Sequence, residues 1–497
     1  WRDILTKPRL TDILENYARK IEEVDKKTNK KKEVQIFPRW HQLAAVRQLV
    51  KDVHQKGIGQ RYLIQHSAGS GKSNSITWLA IQLAGLEKDG EHMVDTVIIV
   101  TDRRVLDKQI SKNVRKYLDM KSTFKHAEKS SELRKLIEEG KKIISTTVQK
   151  FPFVVEEIGS GHRHRKYAIL IDEAHSSQSG RTASQMSMAL TDKASMSNSE
   201  ADPEDFEELL QAYVESKQLA TNASYFAFTA TPKNKTLEMF GVPHDNGEGG
   251  IGYRPFHTYT MKQAIQEGFI RDVLTNYTTV ESHYKLTKAI EDDPEFDKKK
   301  AQKKLRAFVE SDSTAIATKA EIIVDHFAKH VYKSKLKGQA RAMVITARIE
   351  RAIDYYYAIS KYIQEKAHAF RAIVAFSGTK EYGGKELTEG LVNGFPSSQI
   401  EEKIAEEPYR LLIVADKFQT GYDQPLLHTM YVDKPLSGVK AVQTLSRLNR
   451  AHPAKHDTFV YDFYNDAETI QQSFAPYYRT TILSEATDPT KLHDLQQ

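Results

Sequence analysis

The chain has no cysteine in its 497 residues. That excludes a disulfide framework and any thiolate metal site, and it suits a cytosolic, cytoplasmic protein. No stretch approaches the ~18–20 consecutive apolar residues that a membrane helix needs. A secretory leader pattern is also missing: the chain opens Trp1-Arg2-Asp3. The lack of an initial methionine leads us to expect a chain cut from a longer one. Short-period repeats and long low-complexity tracts are absent too, which argues against a solenoid. Charge of one sign is in only small excess. The formal net charge of +7 fits a polyanionic partner but is too small to identify one.

What is present is the material for several globular cores, with 39% hydrophobic and 28% charged residues. Residues 1–35 are polar and helical in pattern. They end in a charge run, Lys27 to Glu33, that reads as a linker. From about 36 to 258, short apolar runs alternate with helical segments. The runs are Tyr62-Leu63-Ile64, Val97 to Val100, Ile143-Ile144, Ala168 to Ile171 and Tyr225 to Phe228. Short runs without strict alternation suit strands buried on both faces, and their alternation with helices implies parallel sheets. The pattern resumes at Ala342 to Ile345, Ala372 to Ala375, Leu411 to Val414, Met430 to Val432 and Phe459 to Tyr461. Between these blocks, Thr191 to Asp205 and Gly241 to Gly252 read as loops, and the charge-dense 283–320 as solvated helix. The expected division is a linker at 1–35, one α/β domain at 36–258, a second at 259–470, and the start of a helical region at 471–497.

The chemistry concentrates at two places in the first domain. The strand Arg61 to Gln65 leads into His66-Ser67-Ala68-Gly69-Ser70-Gly71-Lys72-Ser73 and then an apolar helix. Gly69 and Gly71 let the main chain curl so that its N–H groups, Ser70 among them, face a phosphate. The helix N-terminus adds partial positive charge. Lys72 reaches the β- and γ-phosphates of ATP, and the Ser73 hydroxyl binds Mg²⁺. The full pattern has glycine six residues before the lysine; His66 stands there instead. The strand Tyr167 to Ile171 ends in Asp172-Glu173-Ala174-His175. An acidic pair at the carboxyl end of a buried strand lies where open sheets bind ligands. Asp172 suits the metal, and Glu173 suits the general base for attacking water.

With these residues in hand, the chain resembles the superfamily 2 helicase-like ATPases, and most closely the motor core of type I restriction enzyme R subunits. Phe37-Pro38-Arg39-Trp40-His41-Gln42 is similar to that family's adenine-reading segment, with Gln42 at the base-contacting position. Thr101 to Gln109, including Arg103 and Arg104, and Ser145 to Lys150, including Thr146 and Thr147, look like its nucleic-acid-contact motifs. Phe228-Thr229-Ala230-Thr231-Pro232 resembles the segment linking hydrolysis to DNA contact. In the second domain, Val344-Ile345-Thr346 and Phe376-Ser377-Gly378 resemble early motifs. Thr420-Gly421-Tyr422-Asp423-Gln424-Pro425 resembles a later one, with Tyr422 where phenylalanine is commoner. Gln443 to Arg450 looks like the arginine-finger helix, carrying Arg447 and Arg450; Ser446 replaces a frequent glycine.

The resemblance covers about residues 36–470. It implies two RecA-like doubly wound parallel-sheet domains in tandem, with short helical flanks. It further implies a DNA-stimulated ATPase using ATP and Mg²⁺, part of a type I site-specific deoxyribonuclease. Such a motor tracks double-stranded DNA together with methyltransferase and specificity subunits, with no membrane involved. The family's nuclease signature is not evident: Glu215-Ser216-Lys217 and Glu401-Glu402-Lys403 fit only the bare triplet and lie in polar inserts. Two rivals stand beside this reading, a strand-separating DNA or RNA helicase and a catalytically silent nucleic-acid scaffold.

Overall fold

The computed structural model describes residues 5–24, 31–101, 124–127, 129–147, 150, 154, 158, 162–172, 220–245, 250–279, 312–419 and 422–479. The chain divides into two units, Trp1–Thr260 and Met261–Gln497.

The first unit is built on seven strands: β1 (Arg61–His66), β2 (Thr96–Thr101), β3 (Phe124–His126), β4 (Ile143–Thr147), β5 (Tyr167–Asp172), β6 (Ala223–Thr229) and β7 (His257–Tyr259). Their spatial order is β7-β1-β6-β5-β2-β4-β3, with every pair parallel. Successive side chains of a strand point to opposite faces. Leu63, Ile98, Val100, Ile169 and Ile171 enter one core, while Tyr62, Ile64, Val97, Ile99 and Leu170 enter the other. Both faces are therefore apolar, which is why the runs show no polar alternation. Helices α1 (Lys7–Asn16), α2 (Trp40–Lys56) and α3 (Lys72–Ala84) contribute Ile13, Leu43, Leu49, Trp78 and Leu83 to the second core. Helices α4 (Ser130–Glu138) and α5 (Asn234–Phe240) supply Leu133, Ile137 and Phe240 to the first. Each large side chain so buried contributes about 1.5–3 kcal/mol.

The expectation of a helical linker at 1–35 is corrected. The helix spans only Lys7–Asn16, and it belongs to the core of the first unit. Ile13 and Tyr17 are buried, the Trp78 indole donates to the Tyr17 carbonyl at 3.1 Å, and Arg47 pairs with Asp12 at 2.6 Å. Arg19–Val24 and Lys31–Ile36 then form an antiparallel ribbon. Its register sets Ile21 opposite Val34 and Glu23 opposite Lys32. The glycine-rich loop expected at 241–252 is also a ribbon at its ends, Val242–Asp245 with Ile251–Arg254. Thr191 to Asp205 lies outside the described residues.

The second unit carries β8 (Tyr277–Thr279), β9 (Arg341–Thr346), β10 (Arg371–Ala375), β11 (Tyr409–Ala415), β12 (Leu427–Asp433) and β13 (Phe459–Asp462). Their order is β8-β13-β12-β9-β11-β10, again wholly parallel. Helices α6 (Asp312–His326) and α7 (Ile349–Glu365) pack Ile316, Ile323, Val324, Ile353 and Ile359 against it. The end of the charge-dense 283–320 stretch is thus core helix; residues 280–311 lie outside the described set. Helix α8 (Gly438–Leu445) packs against α9 (Ala467–Arg479). Among the described residues, no helix is long and apolar enough to cross a membrane.

Thr379–Tyr382 and Lys385–Thr388 pair antiparallel directly after Phe376-Ser377-Gly378. Gly383 and Gly384, at φ 58° and 74°, make the turn, as a two-residue hairpin loop requires. The hairpin is braced on α7: Tyr382 donates to Asp354 at 2.6 Å, and Lys380 pairs with Glu350 at 2.5 Å.

Candidate functional site

Parallel pairing aligns the carboxyl ends of the strands in the first unit. Ile64 and Asp172 both lie level with Phe228, and Gln65 with Thr229. The loop after β1, the end of β5 and the Thr229 segment after β6 therefore share one sheet edge, where open α/β sheets bind ligands. On that edge, Ser67 to Gly71 curls into α3, with Ser70 N–H donating to Ser67 O at 3.2 Å. Gly69 and Gly71 both adopt φ +85°, a left-handed conformation that glycine takes without steric cost. A methyl group on Gly71 would lie 2.6 Å from Gln42 Nε2, so the Gln42 amide would have to shift to admit a side chain. Lys72 opens the helix and is buried, as is Asp172. Ser73 is half-buried in the same first turn. Ser70 Oγ is buried and, among the described residues, has no hydrogen-bond partner.

Gln42 stands at the start of α2 with its amide engaged on the loop. Nε2 donates to Gly71 O at 2.9 Å and to Ser70 O at 3.4 Å, while Oε1 accepts from Arg39 N at 2.9 Å. His41 Nε2 lies 3.0 Å from Ser70 O, and its ring stacks on Tyr259 at 3.6 Å between centroids. His66 contacts His257 Nδ1 at 2.9 Å, and Ser67 N donates to Tyr259 O at 3.0 Å. The loop thus rests on α2 and on the edge strand β7. Burial lowers His41 and His257 to about 4 and His66 well below the usual imidazole range. All three are neutral at pH 7, so the loop's backing adds no cationic charge to the phosphate side. The residue that departs from the glycine pattern, His66, is turned into this backing. Sequence reasoning missed His257 and Tyr259: a three-residue polar strand after a glycine-rich segment gives no periodic signal.

Glu173, Arg103, Arg104 and Thr420 lie outside the described residues. Thr101, Thr146 and Thr147 are buried at the carboxyl ends of β2 and β4. Thr101 is level with Thr147 on the same edge as Asp172. Thr146 donates to Ala127 O at 3.5 Å, and Lys150 donates to Thr147 Oγ1 at 3.0 Å.

In the second unit, the motif segments again follow strand ends. Phe376 N donates to Glu389 Oε2 at 2.8 Å, and the other oxygen of Glu389 takes Lys417. Asp416 and Phe418, just before Thr420, hold φ of 46° and 65°, a conformation that costs non-glycine residues ~1–3 kcal/mol and clusters at functional sites. Arg447 is buried, with Nε donating to Gln443 O at 3.0 Å and Nη1 to Tyr422 O at 3.4 Å. Arg450 Nε is 2.9 Å from Asp423 Oδ1. The structure therefore brings both arginines against the Tyr422-Asp423 segment.

Residues 41–307 match the SWI2/SNF2 ATPase family, and residues 380–465 match type I restriction enzyme subunit R domain 3. The chain belongs to the SWI2/SNF2 ATPase family, and the second match agrees with the resemblance to type I R subunits read from the motifs. It is 24% identical over 477 residues to the type I restriction enzyme HindI endonuclease subunit of Haemophilus influenzae, covering 89% of this chain and 41% of that one. The chain spans 36–42% of the length of the first curated relatives it matches, all type I restriction enzyme endonuclease subunits. Among solved structures, the ATP-dependent Type ISP restriction-modification enzyme LlaBIII bound to DNA aligns at a TM-score of 0.55 and 12% identity, over 95% of this chain and 33% of that one. Mss116p bound to ssRNA and AMP-PNP aligns at 0.50 and 13%, over 92% of this chain and 80% of that one. At such identities the likeness is one of fold, and it bears out tandem RecA-like sheets with flanking helices.

Proposed function

We propose that the chain is an ATP-driven motor that moves along double-stranded DNA as part of a type I restriction-modification complex. The observation that carries this is the left-handed Gly69–Gly71 loop entering α3 on the same sheet edge as Asp172. The residues fit a magnesium-bound triphosphate. Gly71 holds a left-handed φ of +85°, the buried Ser70 hydroxyl is without a partner among the described residues, and Lys72 and Asp172 share that edge. Lys72 neutralises phosphate charge, Ser73 and Asp172 hold the metal, and Glu173 orients and deprotonates water. A bound divalent ion would add the charge that steadies the transferring phosphoryl group. Gln42 holds the loop through the Ser70 and Gly71 carbonyls and is the residue proposed to contact the base.

Arg447 and Arg450 are the charges the second unit contributes to hydrolysis. Their alanine variants are expected to bind ATP within about twofold of the parent and to hydrolyse it roughly 10–10²-fold more slowly, since the two divide the charge between them. Equilibrium binding of a fluorescent ATP analogue, beside steady-state turnover, checks this. Full turnover in both variants would leave them as structural partners of Tyr422 and Asp423.

Thr101, Arg103, Arg104, Thr146, Thr147 and Thr420 are the proposed DNA-backbone segments. Backbone contacts carry no sequence information, which suits a translocase, and their strength falls with salt. Methyltransferase and specificity subunits are the proposed partners that anchor the motor. The strand-separating reading draws support from the hairpin at 379–388. In the assembled complex, displacement of a triplex-forming strand is expected to depend on ATP, while a labelled duplex of equal length stays paired. ATP-dependent release of single strands without triplex displacement would replace translocation by unwinding, with the hairpin as the wedge.

A further inference from the structure

We infer that Lys455 is a positioning residue that locks the arginine-bearing turn to the Thr420–Pro425 segment, and that it sets turnover through Arg450 without touching the nucleotide. The inference rests on the proposed ATPase reading. Lys455 has no solvent exposure. Its ammonium donates to Leu427 O and to Leu448 O at 2.6 Å each, with Pro425 O at 3.5 Å. Three donors meet three main-chain carbonyls from three places. Pro425 ends the motif segment, Leu427 opens β12, and Leu448 lies between Arg447 and Arg450.

The Leu448 carbonyl lies in the turns that follow α8. Past α8 the chain continues in single turns, with Arg447 N on Thr444 O, Leu448 N on Leu445 O and Asn449 N on Ser446 O. A main-chain carbonyl kept from water calls for a donor. Lys455 supplies one from inside the unit. From the other side, Arg271 N donates to Asn449 O at 2.9 Å, and Ile270 bridges to Arg450. The turn is thereby held on two sides, and the side chain left to move is that of Arg450, beside Asp423.

Keeping a lysine here is electrostatically costly. Burial, then the positive charges of Arg450 and Arg271, pull its pKa down to about 7, while Asp423 and Asp457 work the other way. A leucine or methionine would fill the space without that penalty, so the carbonyl contacts account for the residue.

The test compares Lys455→Met, Arg450→Ala and the double variant in the whole chain with duplex DNA, reading kcat and KM for ATP. Lys455→Met is expected to lose at least tenfold in kcat with KM for ATP within about twofold. The double variant is expected to be no worse than about threefold below Arg450→Ala, because both changes remove one device. Lys455→Gln, which keeps an N–H donor and less of the disruption, is expected to fall between. It carries the same test if Lys455→Met does not fold. Unchanged kcat in Lys455→Gln, or effects that multiply in the double variant, overturns the inference. Lys72→Ala is run alongside. Loss of turnover there with full turnover in the folded Lys455 variants removes this inference alone. A parent chain without turnover, or an active Lys72→Ala, removes the ATPase reading and this inference with it.

Discussion

Lys72→Ala is expected to abolish DNA-stimulated ATP hydrolysis, by ~10³-fold or more, with the fold retained. The lysine opens α3 directly after left-handed Gly71, so its ammonium serves the loop edge and not either apolar core. Removing it leaves the developing charge on the phosphates without its nearest fixed cation, in a setting where such charges are worth far more than in water. Alanine is a strong helix former, so the first turn of α3 keeps its shape. Turnover with and without duplex DNA, beside a thermal melt, measures both halves. Retention of most turnover by a folded variant would sink the phosphate-loop assignment.

Glu173→Gln is expected to bind ATP and Mg²⁺ like the parent and to hydrolyse ~10²–10⁴-fold more slowly. Glutamine keeps size and hydrogen bonding and loses only the base. Asp172, the last residue of β5, and Ser73 remain to hold the metal. Isothermal calorimetry separates the outcomes. Loss of nucleotide binding would make Glu173 a metal ligand or a structural residue in place of a base.

The strands that span both cores were legible in the residues because burial on both faces leaves a continuous apolar run, as at Val97 to Val100 and Ala168 to Ile171. The phosphate loop was legible for a similarly local reason: two glycines, a lysine and a serine act within one turn of chain. The three-residue edge strands were not. Phe124–His126, His257–Tyr259 and Tyr277–Thr279 are three residues each and half polar, so no period marks them. The hairpin at 379–388 did carry a local signal, Gly383-Gly384 between two short runs.

Sequence by itself determined the fold class and the order of the motifs, and it carries the proposed roles of Lys72, Ser73, Asp172 and Glu173, because each depends on residues close together in the chain. Tertiary structure alone decided which distant groups the residues around the loop and the arginine-bearing turn meet. The Gln42 amide meets carbonyls 28 and 29 positions away, His66 meets His257 across 191 positions, and Lys455 joins Leu427 to Leu448. A histidine, glutamine or lysine has donors and acceptors that suit many partners. Only the register of the parallel sheets and the packing of the connecting turns selects one, and neither is written in local periodicity.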